Sequence, residues 1–212
     1  DLVLETCECH FVGKRRGHHS LPQQKTNSFL VEMAGRHSCV VRLKGGDPFL
    51  FGRGAEEVAY LERHGISVEV VPGITAGIAV PAYVGIPVTH RLAGSSITFV
   101  TGHEEKDKRR PTVNWRALAK STDGLVIYMG MHNLEYIVEE LIAGGLNPAT
   151  SAAIIQQGTV IGQRFIKAPV NELVYKAHQL KFISPAIIVI GAVVDFQQEA
   201  CAPDFANVKM PK

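Results

Sequence analysis

The stretch Arg42-Leu-Lys-Gly-Gly-Asp-Pro-Phe-Leu-Phe-Gly-Arg-Gly54 sets the fold class. Leading into it, Cys39-Val-Val-Arg-Leu43 has the short β-branched pattern of a strand, and that pattern stops at Lys44-Gly-Gly-Asp-Pro48. Behind it, Gly54 to His64 carries a helical pattern. Glu56 and Glu57 fall in its first turn, where the helix dipole favours them, and Gly65 is placed as the stop. A strand that ends in Gly-Gly-Asp puts bare backbone amides and one carboxylate at the carboxyl edge of a sheet, the edge where α/β proteins bind ligands. The spacing is neither Gly-x-Gly-x-x-Gly nor Gly-x-x-x-x-Gly-Lys-Ser/Thr, so dinucleotide and P-loop readings fail. Asp47 either accepts from a ligand amine or hydroxyl, or caps the helix that follows.

The same unit recurs outward from this stretch. Val68-Glu-Val-Val71 reads as a strand ending at Pro72-Gly-Ile-Thr-Ala76, with Thr75 as N-cap candidate of an apolar helix that runs to Val84. Upstream, Ser20-Leu-Pro22 opens a helix to about Gly35, with Ser20 as N-cap, Pro22 in the first turn, and Phe29, Leu30 and Met33 on the buried face. Gly85 to Gly94 is rich in turn residues and reads as a hinge. Beyond it, strands are expected at Ile97–Thr101, Leu125–Met129, Ala152–Ile155 and Ile187–Ile190, with helices at Leu134–Ala143 and Val170–Leu180. This alternation predicts an α/β protein with α/β domains at 1–88 and 89–196 and a patternless tail at 197–212. The opening Asp1–Val12 reads as a fragment whose first strand and helix lie upstream.

The 212 residues, 46% hydrophobic and 20% charged, describe an ordinary globular protein and exclude wholesale disorder. The longest apolar run, Ala186 to Val194, is far too short for a membrane-spanning helix. Asp1-Leu-Val-Leu-Glu5 has no secretory character, and a net charge of +2 with no aromatic-laced basic face does not point to nucleic acid. Cys7, Cys9, Cys39 and Cys201 form neither a disulfide framework nor a zinc pair and read as reduced thiols of a cytosolic protein. No nucleophile elbow supports a hydrolase. Cations sit beside glycines in Lys14-Arg-Arg-Gly-His-His19, at Arg53 and at His90-Arg91, while Lys106–Arg110 reads as a solvated tip. The first three groups are either solvated surface or the seat of a polyanionic small molecule.

Eight motifs occur in order: Val12-Gly-Lys-Arg-Arg-Gly-His-His-Ser, Val40-Val-Arg-Leu-Lys-Gly-Gly-Asp-Pro-Phe, Phe51-Gly-Arg-Gly, Val71-Pro-Gly-Ile-Thr-Ala, Gly85-Ile-Pro-Val-Thr-His-Arg, Val100-Thr-Gly-His, Tyr128-Met-Gly-Met and Gly158-Thr. Together they resemble the tetrapyrrole methylase family, and within it the branch that methylates uroporphyrinogen III. The resemblance runs from about Val12 to Val194. It implies two α/β domains with the active site in the cleft between them, a cytoplasmic homodimer, and no membrane or nucleic-acid partner. It also implies methyl transfer from S-adenosyl-L-methionine to two ring carbons of uroporphyrinogen III, giving precorrin-2 for sirohaem or cobalamin. S-adenosyl-L-homocysteine is the product, and no metal takes part.

Carried over by motif, the donor would contact Gly45, Gly46, Asp47, Leu50, Thr75, Ala76, Met129 and Gly158. Lys14 matches the lysine given a proton-transfer role, although holding a substrate carboxylate is the preferred part for it. Arg15, Arg16, Arg53, His90, Arg91 and His103 are the candidate cations for a substrate with eight carboxylates. The family's opening strand and Gly-x-Gly-Pro-Gly-Asp loop have no counterpart here. Asp1 falls one place after the family's acid/base aspartate, so that role is not carried to it. Two alternatives stay open: a non-catalytic relative that binds tetrapyrrole or donor, and a methylase of a later corrin intermediate.

Overall fold

A computed structural model of the chain describes residues 3, 6–13, 22–103 and 113–198. The chain divides into two compact units, Asp1–Gly73 and Ile74–Lys212.

In the first unit, helices α1 (Gln23–Ala34) and α2 (Gly54–Glu62) pack on each other. Pro22 lies just before α1 rather than in its first turn, and Leu30 and Met33 are buried as their spacing predicts. Ser20, the expected N-cap, lies outside the described residues. At the far end of α2 the Ile66 N–H reaches back to the Leu61 carbonyl at 3.1 Å around left-handed Gly65, the closing bond of a Schellman turn.

The strands expected at Cys39–Leu43 and Val68–Val71 do not form, because neither segment joins a ladder. Both instead line a cavity of about 670 Å³ with Leu30, Val58 and Leu61. Runs of β-branched residues favour an extended backbone, but a strand also needs a hydrogen-bonded neighbour. Val41, Leu43 and Val71 accordingly remain 73–79% exposed.

The second unit is built on a five-stranded sheet of β1 (Thr98–Thr101), β2 (Gly124–Tyr128), β3 (Ser151–Gln156), β4 (Arg164–Pro169) and β5 (Ala186–Gly191), in the order β1-β2-β5-β3-β4. β1 and β2 are parallel, and β5 runs antiparallel to both β2 and β3, so β1, β2 and β3 point the same way. Leu125, Ile127, Ala152, Ile154, Ile188 and Ile190 belong to one core with residues of α4 (Trp115–Ser121), α5 (Leu134–Ala143) and α6 (Val170–Gln179). The intervening Val126, Tyr128 and Val189 turn to the opposite face, where α3 (Ala76–Tyr83) packs on β2 and β5. Burial on both faces explains why β2 and β5 are continuous apolar runs rather than alternating ones. Each fully buried Ile or Leu contributes about 1.5–3 kcal/mol.

Packing on this sheet places α3 with the second unit, so the units divide before the boundary expected after residue 88. Two elements escape the hydropathy pattern. α4 is a short helix whose start is fixed by Asn114, the Oδ1 of which accepts from the Ala117 N–H at 3.0 Å. β4 is an edge strand carrying Arg164 and Lys167, with Pro169 at its last position. Among the described residues no helix is long and apolar enough to cross a membrane.

Candidate functional site

In the first unit, Asp47 is the knot of the glycine loop. Its Oδ1 accepts from the amides of Phe49 at 2.9 Å and Leu50 at 3.0 Å, and its Oδ2 accepts from the Gly73 amide at 3.2 Å. The amides of Phe49, Gly73 and Leu50 hold its carboxyl below the usual carboxylate range. Asp47 therefore joins two loops that are 26 residues apart in sequence. The junction is tight: a Cβ on Gly73 would stand 2.8 Å from the Gly46 carbonyl oxygen, so only glycine fits there. Among the described residues nothing crowds Gly45, so none of them closes off its backbone. Leu50 is half-buried behind the turn.

Beneath the loop lies a charge cluster that the helix-dipole reading of Glu57 misses. The Glu57 side chain is 5% exposed and receives Lys44 Nζ at 2.8 Å, Gln23 Nε2 at 3.0 Å and Arg42 Nη2 at 3.4 Å. Burial pushes its carboxyl up, but Lys44, Gln23 and Arg42 together outweigh this and hold it below its ordinary value. Lys44, at the root of Gly45-Gly46, is thereby fixed. Glu57 stands one helical turn before Leu61, a cavity-lining residue, and that spacing is the sequence signal for an inward carboxylate. Arg53 is the left-handed residue at the start of α2, and its guanidinium makes a fork with Glu56, Nε to Oε1 at 3.0 Å and Nη2 to Oε2 at 2.6 Å. A polyanion would have to compete with Glu56 for it.

In the second unit, the common direction of β1, β2 and β3 brings their carboxyl ends to one edge. Gly102-His103, Met129-Gly130 and Gln157-Gly158 follow those three strands. Met129 is left-handed, with φ 54°, and 49% exposed. Gly158 lies against Val80 of α3, and Thr75 lies within 2.6 Å of the Tyr128 hydroxyl. Thr75, half-buried Ala76, Met129, Gly158 and His103 thus share one edge. Thr75 occupies the N-cap position expected of it but makes no side-chain cap. Tyr128 takes that part, a role the sequence reading does not assign; the pointer available in sequence is an aromatic at the last strand position before Met129.

His90 and Arg91 lie elsewhere in this unit. The His90 ring stacks on Phe196, with centroids 3.8 Å apart, and its Nδ1 accepts from the Leu92 amide at 3.3 Å. Neighbouring Asp195 bonds Ser151 at the start of β3, and Ser95 and Ser96 bond Asp123 just ahead of β2. These contacts set His90-Arg91 at the amino edge of the sheet, opposite Met129 and Gly158. Lys14, Arg15 and Arg16 lie outside the described residues. Among the described residues no group of three His, Cys, Asp or Glu is disposed to hold a metal ion.

Known proteins share this plan. The family model for tetrapyrrole (corrin/porphyrin) methylases matches residues 4–174. A uroporphyrinogen-III C-methyltransferase of Synechocystis is 51% identical over 195 residues, covering 92% of this chain and 74% of that protein. A siroheme synthase of Aeromonas hydrophila is 46% identical over 198 residues, or 93% of this chain, which spans only 41% of that longer protein. The solved structure of uroporphyrin-III C-methyl transferase from Thermus thermophilus, complexed with S-adenyl homocysteine, superposes with a TM-score of 0.71 at 35% identity over 82% of this chain and 74% of that one. The chain belongs to the tetrapyrrole (corrin/porphyrin) methylase family.

Proposed function

We propose that this protein transfers methyl groups from S-adenosyl-L-methionine to two ring carbons of uroporphyrinogen III, giving precorrin-2 and S-adenosyl-L-homocysteine. The observation that carries the reading is 51% identity, across 92% of the chain, to a uroporphyrinogen-III C-methyltransferase. The residues that the family motifs assign to the donor are Gly45, Gly46, Asp47 and Leu50 in the first unit and Thr75, Ala76, Met129 and Gly158 in the second. The residues present suit it. No described residue bars a ligand from the Gly45 backbone, and exposed Met129 offers an apolar contact at a strand end.

In the transfer an electron-rich pyrrole carbon attacks the sulfonium methyl. The new C–C bond forms as the S–CH₃ bond breaks, the thioether leaves, and the ring then sheds a proton. The protein's part is alignment of carbon, methyl and sulfur, with an acceptor for that proton. Lys14 is proposed to hold a substrate carboxylate, and Arg15, Arg16 and His103 to add cations for the remaining acid groups. The working form is a homodimer.

The test is a transfer assay on the full-length protein with methyl-labelled donor and uroporphyrinogen III. Two labels per macrocycle are expected. Tight binding of S-adenosyl-L-homocysteine without transfer would instead favour a non-catalytic relative, and transfer only to a later corrin would overturn the substrate assignment.

A further inference from the structure

Tyr128 ends β2, and its side chain turns to the α3 face of the sheet, its ring edge-on to Phe99 with centroids 6.5 Å apart. Its buried hydroxyl lies 2.6 Å from Thr75 Oγ1 and accepts from the Gly77 N–H, also at 2.6 Å. That N–H is one of the first-turn donors of α3 that no carbonyl within the helix can satisfy. A residue in Thr75's place would ordinarily cap it, but Thr75 makes no such bond. One phenol oxygen from β2 therefore does the capping and binds the threonine as well. The fit excludes any side chain at position 77, since a Cβ there would collide with the Tyr128 hydroxyl. The next residue after Tyr128 is Met129, in its left-handed turn. A single side chain thus fixes the amino end of α3 and the Thr75 hydroxyl at the strand end that presents Met129.

We propose that Tyr128 is a positioning residue for the methyl donor, acting through Thr75 and the start of α3 rather than by touching the reacting atoms. The inference rests on the donor-binding reading above. When the phenol donates to Thr75 Oγ1, the threonine keeps its own O–H to offer a ligand acceptor. Removing the phenol oxygen frees the Thr75 rotamer and leaves the Gly77 N–H buried without its acceptor. The loss falls on donor affinity, whereas recognition of the macrocycle's carboxylates is untouched.

The experiment is S-adenosyl-L-homocysteine calorimetry with steady-state kinetics on full-length Tyr128→Phe, at a temperature well below its unfolding transition. The expected result is about tenfold weaker binding, the scale of one buried hydrogen bond whose partner is stranded. KM for the donor should rise by a similar factor and KM for uroporphyrinogen III should stay within about twofold. Thr75→Val should cost as much, Thr75→Ser should restore binding, and the Tyr128→Phe/Thr75→Val double variant should be no worse than either single one. If Tyr128→Phe does not fold, the Val and Ser variants at position 75 decide alone. Wild-type binding by Tyr128→Phe, or by Thr75→Val, overturns the proposal, and so does an equal rise in both KM values. Failure of the unaltered protein to bind S-adenosyl-L-homocysteine refutes the donor reading itself.

Discussion

Glu57→Gln should loosen the first unit without touching the second. The carboxylate is 5% exposed and bonds Lys44 at 2.8 Å, Gln23 at 3.0 Å and Arg42 at 3.4 Å, while Arg42 Nε is buried with no hydrogen-bond partner among the described residues. Removing one member of a buried ion pair costs about 3–5 kcal/mol, because the other charge is left uncompensated. Here Lys44 is 14% and Arg42 29% exposed, so both can draw in water once released, and about 2–3 kcal/mol is the reasoned loss. Tryptophan fluorescence would miss it, since the one tryptophan, Trp115, is buried in the second unit. Amide hydrogen exchange in α2 reports it directly, and a 2–3 kcal/mol loss speeds exchange roughly 30- to 160-fold. Affinity for S-adenosyl-L-homocysteine should fall several-fold in parallel, because Lys44 roots the Gly45-Gly46 turn. The difference has a pH signature. Glu57's folded-state value lies below its unfolded value near ~4.3, so its contribution is complete above that pH and disappears as pH falls through the folded value. Variant and wild type should therefore converge in acid. Exchange in α2 within threefold of wild type at neutral pH would refute the reasoning.

Three further outcomes follow from the geometry. Gly73→Ala sets a Cβ 2.8 Å from the Gly46 carbonyl oxygen and should cost about 1–3 kcal/mol of local stability, with loss of S-adenosyl-L-homocysteine binding by calorimetry. Asp47 has its carboxyl held low by three amides, so the knot it ties should persist above its unfolded value and open as pH falls through the folded one. Protection of the Phe49, Leu50 and Gly73 amides, taken relative to their intrinsic exchange rates at each pH, should fall together in that window and not above it. Ile127→Ala empties a fully buried site in the second-unit core and should destabilise it by about 2–5 kcal/mol, read as a lower urea midpoint by Trp115 fluorescence.

Where burial alone decides an element, the amino-acid pattern was enough. β2 and β5 are apolar on both faces, and α5 and α6 carry apolar residues at helical spacing, so all four lie within a residue or two of their expected limits. Partnership between segments is a different matter. Cys39–Leu43 has the β-branched run of a strand, yet Arg42 within it and Lys44 just after it answer to Glu57 instead of to a ladder. β4 takes its identity from pairing with β3, which no run of its own residues announces. The same division holds at the site. Glycines and Asp47 announce a strand-end turn, but that Asp47 ties down Gly73 is a contact across 26 residues. Thr75 was legible as a cap position, whereas Tyr128, which does the capping, lies 53 residues away.

Both units solve one problem in the same way. A loop or helix start that must offer bare amides to a ligand cannot satisfy them within its own backbone, and unrestrained it would lose conformational freedom on binding. Asp47 in one unit and Tyr128 in the other each reach across to take an amide of a second segment, and each is met by a glycine too closely approached to bear a side chain. Gly73 is pressed by the Gly46 carbonyl and Gly77 by the Tyr128 phenol and the Phe99 ring, so both glycines follow from close approach and are not independent sources of flexibility. Replacing either glycine alone should injure donor binding. Enlarging Gly77 in a Tyr128→Phe background should add less injury than in the wild type, because the atom it would strike first is gone. Equal added loss in both backgrounds would show that the phenol oxygen does not set the residue at 77.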